Sequence, residues 1–410
     1  MDSINWKQFE VVNANTTESF EDLCRNLFKR QFLTKDIVSN SKPNHPGTEI
    51  HPLYSEVIES RISFQAKFLS RNDYPQIKKS TDKVISNYSN KLDVLYLYCN
   101  RDLDIDSKGF RTIEESLEEA GIKIELITNK EILDQVITHK DLYAYYFKKH
   151  SIGKKWFEDE SNKSLAILGP RYNPELNEKT ETESHINLFI RDEEAIIDIN
   201  NKKKELKDYL LDLNREISSQ KISKVVDSII AGIENLDDVD YYTMDKAIEW
   251  SSELKNEFSN SIEIINNEIN DINEKKDGLK IDNLRNEYHT ELNEIDRKSL
   301  CLKKLLNFYK EIELSENEKE IISNKMLILT GKAGSGKSHL FGSTNKKIID
   351  RGDYSILILG HTFINDNTVM NQIMENYGLD YSFNEFLNIL EGTGSINNRD
   401  VYIFIDAVNE

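Results

Sequence analysis

The sequence predicts an α/β protein in three parts: a mixed helix-and-strand domain, a long helical middle region, and the beginning of a βαβ core at the C-terminal end. Three observations carry this. All six prolines (Pro43, Pro46, Pro52, Pro75, Pro170 and Pro174) fall in the first 174 residues, where short apolar strands alternate with amphipathic helical patterns. Residues 190–325 are rich in Glu, Lys, Asn and Ile at helical spacing. From residue 325 onward, continuous apolar runs surround a glycine-rich loop, as expected of a parallel sheet covered on both faces.

Taken in order, Phe20, Leu23, Cys24, Leu27 and Phe28 recur at i, i+3, i+4, i+7 and i+8, an amphipathic helix with Thr17 or Ser19 as candidate cap. Strands are predicted at 62–69, 92–99 and 122–127, with a helix over 110–120 closed by Gly121. These form a first domain, 1–165. A junction, 166–190, contains Gly169-Pro170-Arg171-Tyr172-Asn173-Pro174. Residues 191–324 read as a helical spacer, an αα-hairpin whose turn is marked by Asp277-Gly278 and whose apolar residues at helical spacing include Ile262, Ile264, Ile265, Ile269 and Ile272. The final part, 325–410, predicts strands at 326–330, 354–359 and 401–406, and a helix over 337–351 ended by Gly352.

The chain has 410 residues, enough for two or three domains, with 38% hydrophobic and 30% charged residues. It contains no long apolar run and no basic-then-apolar leader, so the expectation is a cytoplasmic protein with no membrane association. Cys24, Cys99 and Cys301 are far apart and form no CxxC pair, which fits reduced thiols better than a disulfide framework or a zinc site. The net charge of −19 is unevenly spread. Residues 1–150 hold about 21 Lys/Arg against about 23 Asp/Glu, so nucleic-acid contact by the first domain is not excluded.

Gly331-Lys332-Ala333-Gly334-Ser335-Gly336-Lys337-Ser338 matches GxxxxGK[ST]. Glycines let the backbone turn its N–H groups onto a phosphate chain, and the following helix adds its N-terminal dipole. Lys337 supplies charge to the β- and γ-phosphates of ATP, and the Ser338 hydroxyl can ligate Mg²⁺. Asp406 ends an apolar strand about seventy residues later, the place of an aspartate that holds the ATP-bound Mg²⁺. Glu410 is the candidate for orienting an attacking water.

A second constellation lies at 47–67. Alternation puts Ile62, Phe64, Ala66 and Phe68 on one face of a strand and Gln65 and Lys67 on the other. A hairpin turn over 55–60 would pair this strand with a segment carrying Glu49. A carboxylate, an amide oxygen and an ammonium gathered there suit phosphodiester hydrolysis: the oxygens hold a divalent metal, and the lysine positions or deprotonates a water. On bare spacing alone this is a weak signal, and an ordinary half-exposed hairpin is the commoner reading.

With Phe20-Glu21-Asp22-Leu23 in the preceding helix, this set resembles the Mrr-like branch of the PD-(D/E)xK restriction-endonuclease superfamily. The resemblance implies a restriction-endonuclease-like fold in which Glu49 and Gln65 hold Mg²⁺ or Mn²⁺, Lys67 acts on the nucleophile and Glu21 assists. Glu49 stands where aspartate is commoner, and Gln65 replaces the acid of the parent motif. Over the whole chain, this effector, the Gly-Pro-Arg-Tyr junction, the helical region and the P-loop with Ile405-Asp406-Ala407-Val408-Asn409-Glu410 resemble the bacterial antiviral STAND NTPases of the Avs group.

That resemblance implies a P-loop NTPase switch that binds ATP and senses a phage protein through a C-terminal region. It then assembles a homo-oligomer, a tetramer by preference, whose effectors cut double-stranded DNA. The chain stops just past the strand of Asp406, so the expectation is an N-terminal part of a longer protein, with the NTPase core truncated. Two alternatives stay open: a DNA-processing restriction or repair ATPase with a nuclease domain, and a nucleotide switch whose nuclease fold is inactive.

Overall fold

The structure is a computed structural model. It describes residues 4–33, 46–148, 150–176, 180–216, 220–281, 296–297, 299–305, 307, 313–332 and 334–406. By its contacts the chain divides into two compact units, Met1–Leu176 with Lys332–Glu410, and Asn177–Gly331.

The first unit contains a four-stranded mixed sheet in the order β1-β2-β3-β4. β1 (Leu53–Ser55) runs antiparallel to β2 (Ser60–Lys67) in register Leu53↔Ile62, through the turn expected from the sequence. β3 (Val94–Cys99) and β4 (Lys123–Thr128) continue the sheet in parallel, with Gln65↔Leu97 and Lys67↔Cys99 setting the register of β2 on β3. Parallel neighbours need crossovers, and helices α3 (Tyr74–Tyr88) and α4 (Lys108–Glu119) supply them. Ile77, Val84, Ile113 and Leu117 of those helices cover Leu95, Leu97 and Cys99. The opposite face carries α1 (Trp6–Val12), α2 (Thr16–Phe32), α5 (Asn129–Thr138) and α6 (Lys140–Phe147). There Phe9, Phe20, Leu27 and Phe28 pack on Ile62, Phe64, Ala66 and Tyr98. The cap of α2 is neither Thr17 nor Ser19 but Asn15, whose side chain accepts the Glu18 amide. The helix begins earlier than the apolar stripe alone indicates.

The same unit holds a second, two-stranded parallel sheet. β5 (Tyr354–Leu359) pairs with β6 (Val401–Asp406) in register Leu359↔Asp406. Helix α7 (Lys154–Leu168) packs on β5, so the sequence-derived boundary at 165/166 falls inside a helix that belongs to this sheet. Ser164 Oγ donates to the Leu357 carbonyl at 2.8 Å. Helix α13 (Lys337–Asp350) lies beside both: buried Asn345 donates to Ser161 Oγ and accepts from Ser355 Oγ, each at 2.7 Å. Helices α14 (Val369–Tyr377) and α15 (Phe383–Asn397) complete the layer, with Phe386 and Ile389 against Ile356 and Ile358.

The strand expected at 326–330 does not form. The run is described, but it joins neither ladder, and Met326 and Ile328 are 75% and 74% exposed. An apolar run becomes a strand only beside a partner that takes its backbone hydrogen bonds, and neither β5 nor β6 pairs with it.

The second unit is helical. α8 (Glu181–Phe189), α9 (Glu193–Glu216), α10 (Gln220–Glu234), α11 (Lys246–Ile281) and α12 (Glu316–Ser323) share a core that includes Leu206, Leu210, Val226, Ile229, Trp250, Phe258 and Leu305. The turn expected at Asp277-Gly278 is absent, because α11 runs through it for 36 residues. One glycine costs a helix only about 1 kcal/mol, too little to break so long an element. No described helix is long and apolar enough to cross a membrane.

Candidate functional site

The polar side of β2 is stitched to the segment carrying Glu49. The Glu49 amide donates to the Phe64 carbonyl at 2.9 Å. Ser63 Oγ donates to the Ile50 carbonyl at 2.8 Å, and Gln65 Nε2 donates to the Gly47 carbonyl at 2.6 Å. Glu49 Oε1 then accepts the Ala66 amide at 3.3 Å, placing the carboxylate beside the peptide that links Gln65 to Lys67. Gly47 has φ of +84°, and a Cβ there would come within 2.7 Å of the Ser80 carbonyl oxygen and 2.8 Å of the Val84 nitrogen. Only glycine lets this segment lie so close to α3.

Gln65 is 1% exposed. A backbone carbonyl can only accept, so the amide nitrogen must face Gly47, and Oε1 faces away from it. That oxygen is buried and without a hydrogen-bond partner, as is Thr48 Oγ1. Unpaired buried oxygens are costly, and an unsatisfied one in a polar pocket points to a missing donor, a water or a cation. Glu21 approaches from α2. Burial pushes its carboxyl above the usual range, the Glu49 charge pushes it further, and Lys67 pulls it back. Glu49 and Lys67 are therefore both close enough to act on Glu21.

Sequence reasoning missed Ser63 and Asn100. Asn100, buried just past β3, accepts the Leu69 amide at 2.7 Å and donates to the Leu69 carbonyl at 3.1 Å. Arg101 Nε donates to the same carbonyl at 2.8 Å. These contacts hold the chain immediately after Lys67. An asparagine ending an apolar strand was the available signal. Among the described residues no group of three or more His, Cys, Asp and Glu side chains is placed to hold a metal. A cation here would rest on Glu49, the Gln65 amide oxygen and water.

At the glycine-rich loop, α13 starts at Lys337 behind Gly336. Gly334 and Gly336 adopt φ of +77° and +85°. Lys337 Nζ folds back over the loop and donates to the Lys332 carbonyl at 2.9 Å. Ser335 is exposed and Ser338 half-buried in the first turn. Gly331 lies at the end of the other unit, and Ala333 and Glu410 lie outside the described residues. Asp406 ends β6, is 4% exposed, and its Oδ2 is buried without a hydrogen-bond partner. The Phe341 and Phe404 rings are 5.5 Å apart, so the first turns of α13 pack on the strand face that also carries Asp406.

Side chains also join the helices of the four-stranded sheet to those of the two-stranded sheet within this unit. Arg30, on the same helix as Glu21, holds Asp141 of α6 through its two terminal guanidinium nitrogens and reaches Ser395 Oγ of α15 at 3.4 Å. Burial would raise Asp141, but the Arg30 guanidinium outweighs it and holds the carboxyl below the usual range. Lys148, which caps the C-terminal end of α6, pairs with Glu385 of α15. No protein-family model matches the chain. No curated protein matches it either.

Proposed function

We propose that this chain is a metal-dependent DNA endonuclease coupled to an ATP-binding switch, serving antiviral defence in the manner of the STAND NTPases that its motifs resemble. The observation that carries the nuclease reading is the buried, unpartnered Gln65 Oε1 on the strand whose next amide, Ala66, binds the Glu49 carboxylate, with Glu49 and Lys67 both acting electrostatically on Glu21. The Gln65 amide oxygen and the Glu49 carboxylate are hard oxygen donors, and they fit Mg²⁺ or Mn²⁺. Such an ion supplies Lewis acidity, lowering the pKa of a bound water and offsetting phosphate charge. Glu49 and Gln65 hold the ion; the Lys67 ammonium donates to the scissile phosphate or to the attacking water. Glu21, with its raised pKa, accepts a proton closer to neutral pH than an ordinary carboxylate.

In the switch, Lys337 leaves the Lys332 carbonyl for the β- and γ-phosphates, while Ser338 and Asp406 hold the nucleotide's Mg²⁺. A phage protein as trigger, a homo-oligomer as the active form and double-stranded DNA as substrate complete the proposal. Supercoiled plasmid incubated with the full chain and Mg²⁺ or Mn²⁺ tests the nuclease. Metal-dependent nicking that is lost in Lys67→Ala is the expected result. Nicking that survives in Lys67→Ala, or in chelator, overturns the assignment.

A further inference from the structure

We propose that the junction turn Gly169–Arg171, together with Tyr172, forms a wall of the nucleotide site, and that Arg171 is a second cationic ligand for the phosphate tail beside Lys337. The inference rests on the nucleotide-binding reading of the glycine-rich loop and extends it to residues about 160 positions upstream.

The argument starts from one seam. Along α13, Asn345, Gly342 and His339 are spaced by three and share a face. Asn345 meets Ser161, in the middle of α7. Gly342 lies so close to the next stretch that an added Cβ would stand 3.0 Å from Leu168 Cδ1, 3.0 Å from Tyr172 Cδ2 and 3.3 Å from Leu165 Cδ2. His339 meets Tyr172, ring centroids 5.7 Å apart, and its Nδ1 accepts the Asn173 amide at 3.3 Å. Residue numbers therefore rise along α7 and the junction as they fall along α13. The two run antiparallel, and α7 delivers the turn to the N-terminal end of α13, where the loop ends at Lys337 and Ser338.

Gly169 ends α7 at φ of +51°, and the chain folds into a single 3₁₀ turn, Gly169–Arg171, closed by the Tyr172 amide on the Gly169 carbonyl at 3.0 Å. Tyr172 then anchors on His339, two residues past Lys337. Arg171, one residue before the anchor, is exposed, and its guanidinium has no hydrogen-bond or ion-pair partner among the described residues. A long cationic side chain held beside a phosphate cradle and left unpaired matches a guanidinium that binds phosphate oxygens. At the same end of the layer, the end of β6, Asp406 Oδ2 is buried without a hydrogen-bond partner, an acceptor suited to the Mg²⁺ of a Mg-nucleotide.

The test is calorimetric binding of Mg-ATP, Mg-ADP and adenosine to the full chain and its variants, with Lys337→Ala as reference. Arg171→Ala should weaken ATP about tenfold, the loss of one charge-assisted contact, should weaken ADP less, and should leave adenosine unchanged. Arg171→Lys should recover part of the loss. Tyr172→Ala should weaken ATP, and Tyr172→Phe should restore it, because Tyr172 meets His339 through its ring and not its hydroxyl. Unchanged ATP affinity in Arg171→Ala, with affinity lost in Lys337→Ala, overturns this inference and leaves the nucleotide site standing. A wild-type chain that binds neither nucleotide overturns both.

Discussion

Gln65 Nε2 and the Gly47 carbonyl are 2.6 Å apart, and this contact decides which way the Gln65 amide points. With the nitrogen committed to Gly47, the oxygen is left buried and unpaired at the side of β2 shared with Lys67. Gln65→Ala removes the candidate metal oxygen and also releases the Gly47 segment. It should lower metal-dependent cleavage on the order of 100-fold, and more Mn²⁺ should restore part of the rate. Plasmid nicking across a metal titration checks this, and a wild-type rate at limiting metal would remove Gln65 from the site.

Glu21 connects the site to stability. Folding raises its pKa, mainly through burial and then through Glu49, so the folded chain holds that proton more tightly than the unfolded one. The resulting stabilisation is fully present below the ordinary glutamate range and is lost as pH rises through the raised value. Glu21→Gln abolishes the titration. The variant should therefore unfold at higher denaturant concentration than wild type at pH 7, with the difference shrinking towards pH 4. Urea midpoints at both pH values measure it, and a difference independent of pH would contradict the assignment.

Lys337→Ala should weaken nucleotide binding on the order of 100-fold while leaving the far-ultraviolet spectrum unchanged. The ammonium donates to the Lys332 carbonyl at 2.9 Å and reaches Ser335 Oγ at 3.4 Å, contacts within an exposed loop. Retained affinity in the variant would show that the loop does not use this lysine.

Asn345 tests whether α7 belongs with the nucleotide layer. Asn345→Ala leaves Ser161 and Ser355 hydroxyls buried without their partner and should cost roughly 2–4 kcal/mol. A fragment ending at residue 150 keeps the four-stranded sheet and its helices. One ending at 176 also carries α7 with its β5-facing side bare. Limited proteolysis of the second fragment should remove α7 first, and persistent protection of α7 without residues 332–410 would refute the packing argument.

Local pattern determined much of this protein. Period-two alternation located β2 and put Ile62, Phe64 and Ala66 on its core face, and period-3.6 spacing located α2 with Phe20, Leu23 and Leu27 inward. Glycine spacing located the start of α13, because only a few residue sequences let a backbone turn back on itself before a helix. Pattern failed where an element depends on a distant partner. The run 326–330 has the composition of a strand and no ladder to join, while Asp277-Gly278 has the composition of a turn within a helix long enough to pass through it.

Tertiary structure alone decided that α7 pairs with β5 and α13 nearly two hundred residues away, through Ser164, Ser161 and Asn345. It alone left Gln65 Oε1 and Asp406 Oδ2 unpaired. A sequence carries the periodicity that sorts side chains into inward and outward sets. Which inward-facing polar atoms find partners depends on long-range packing geometry that no local spacing encodes.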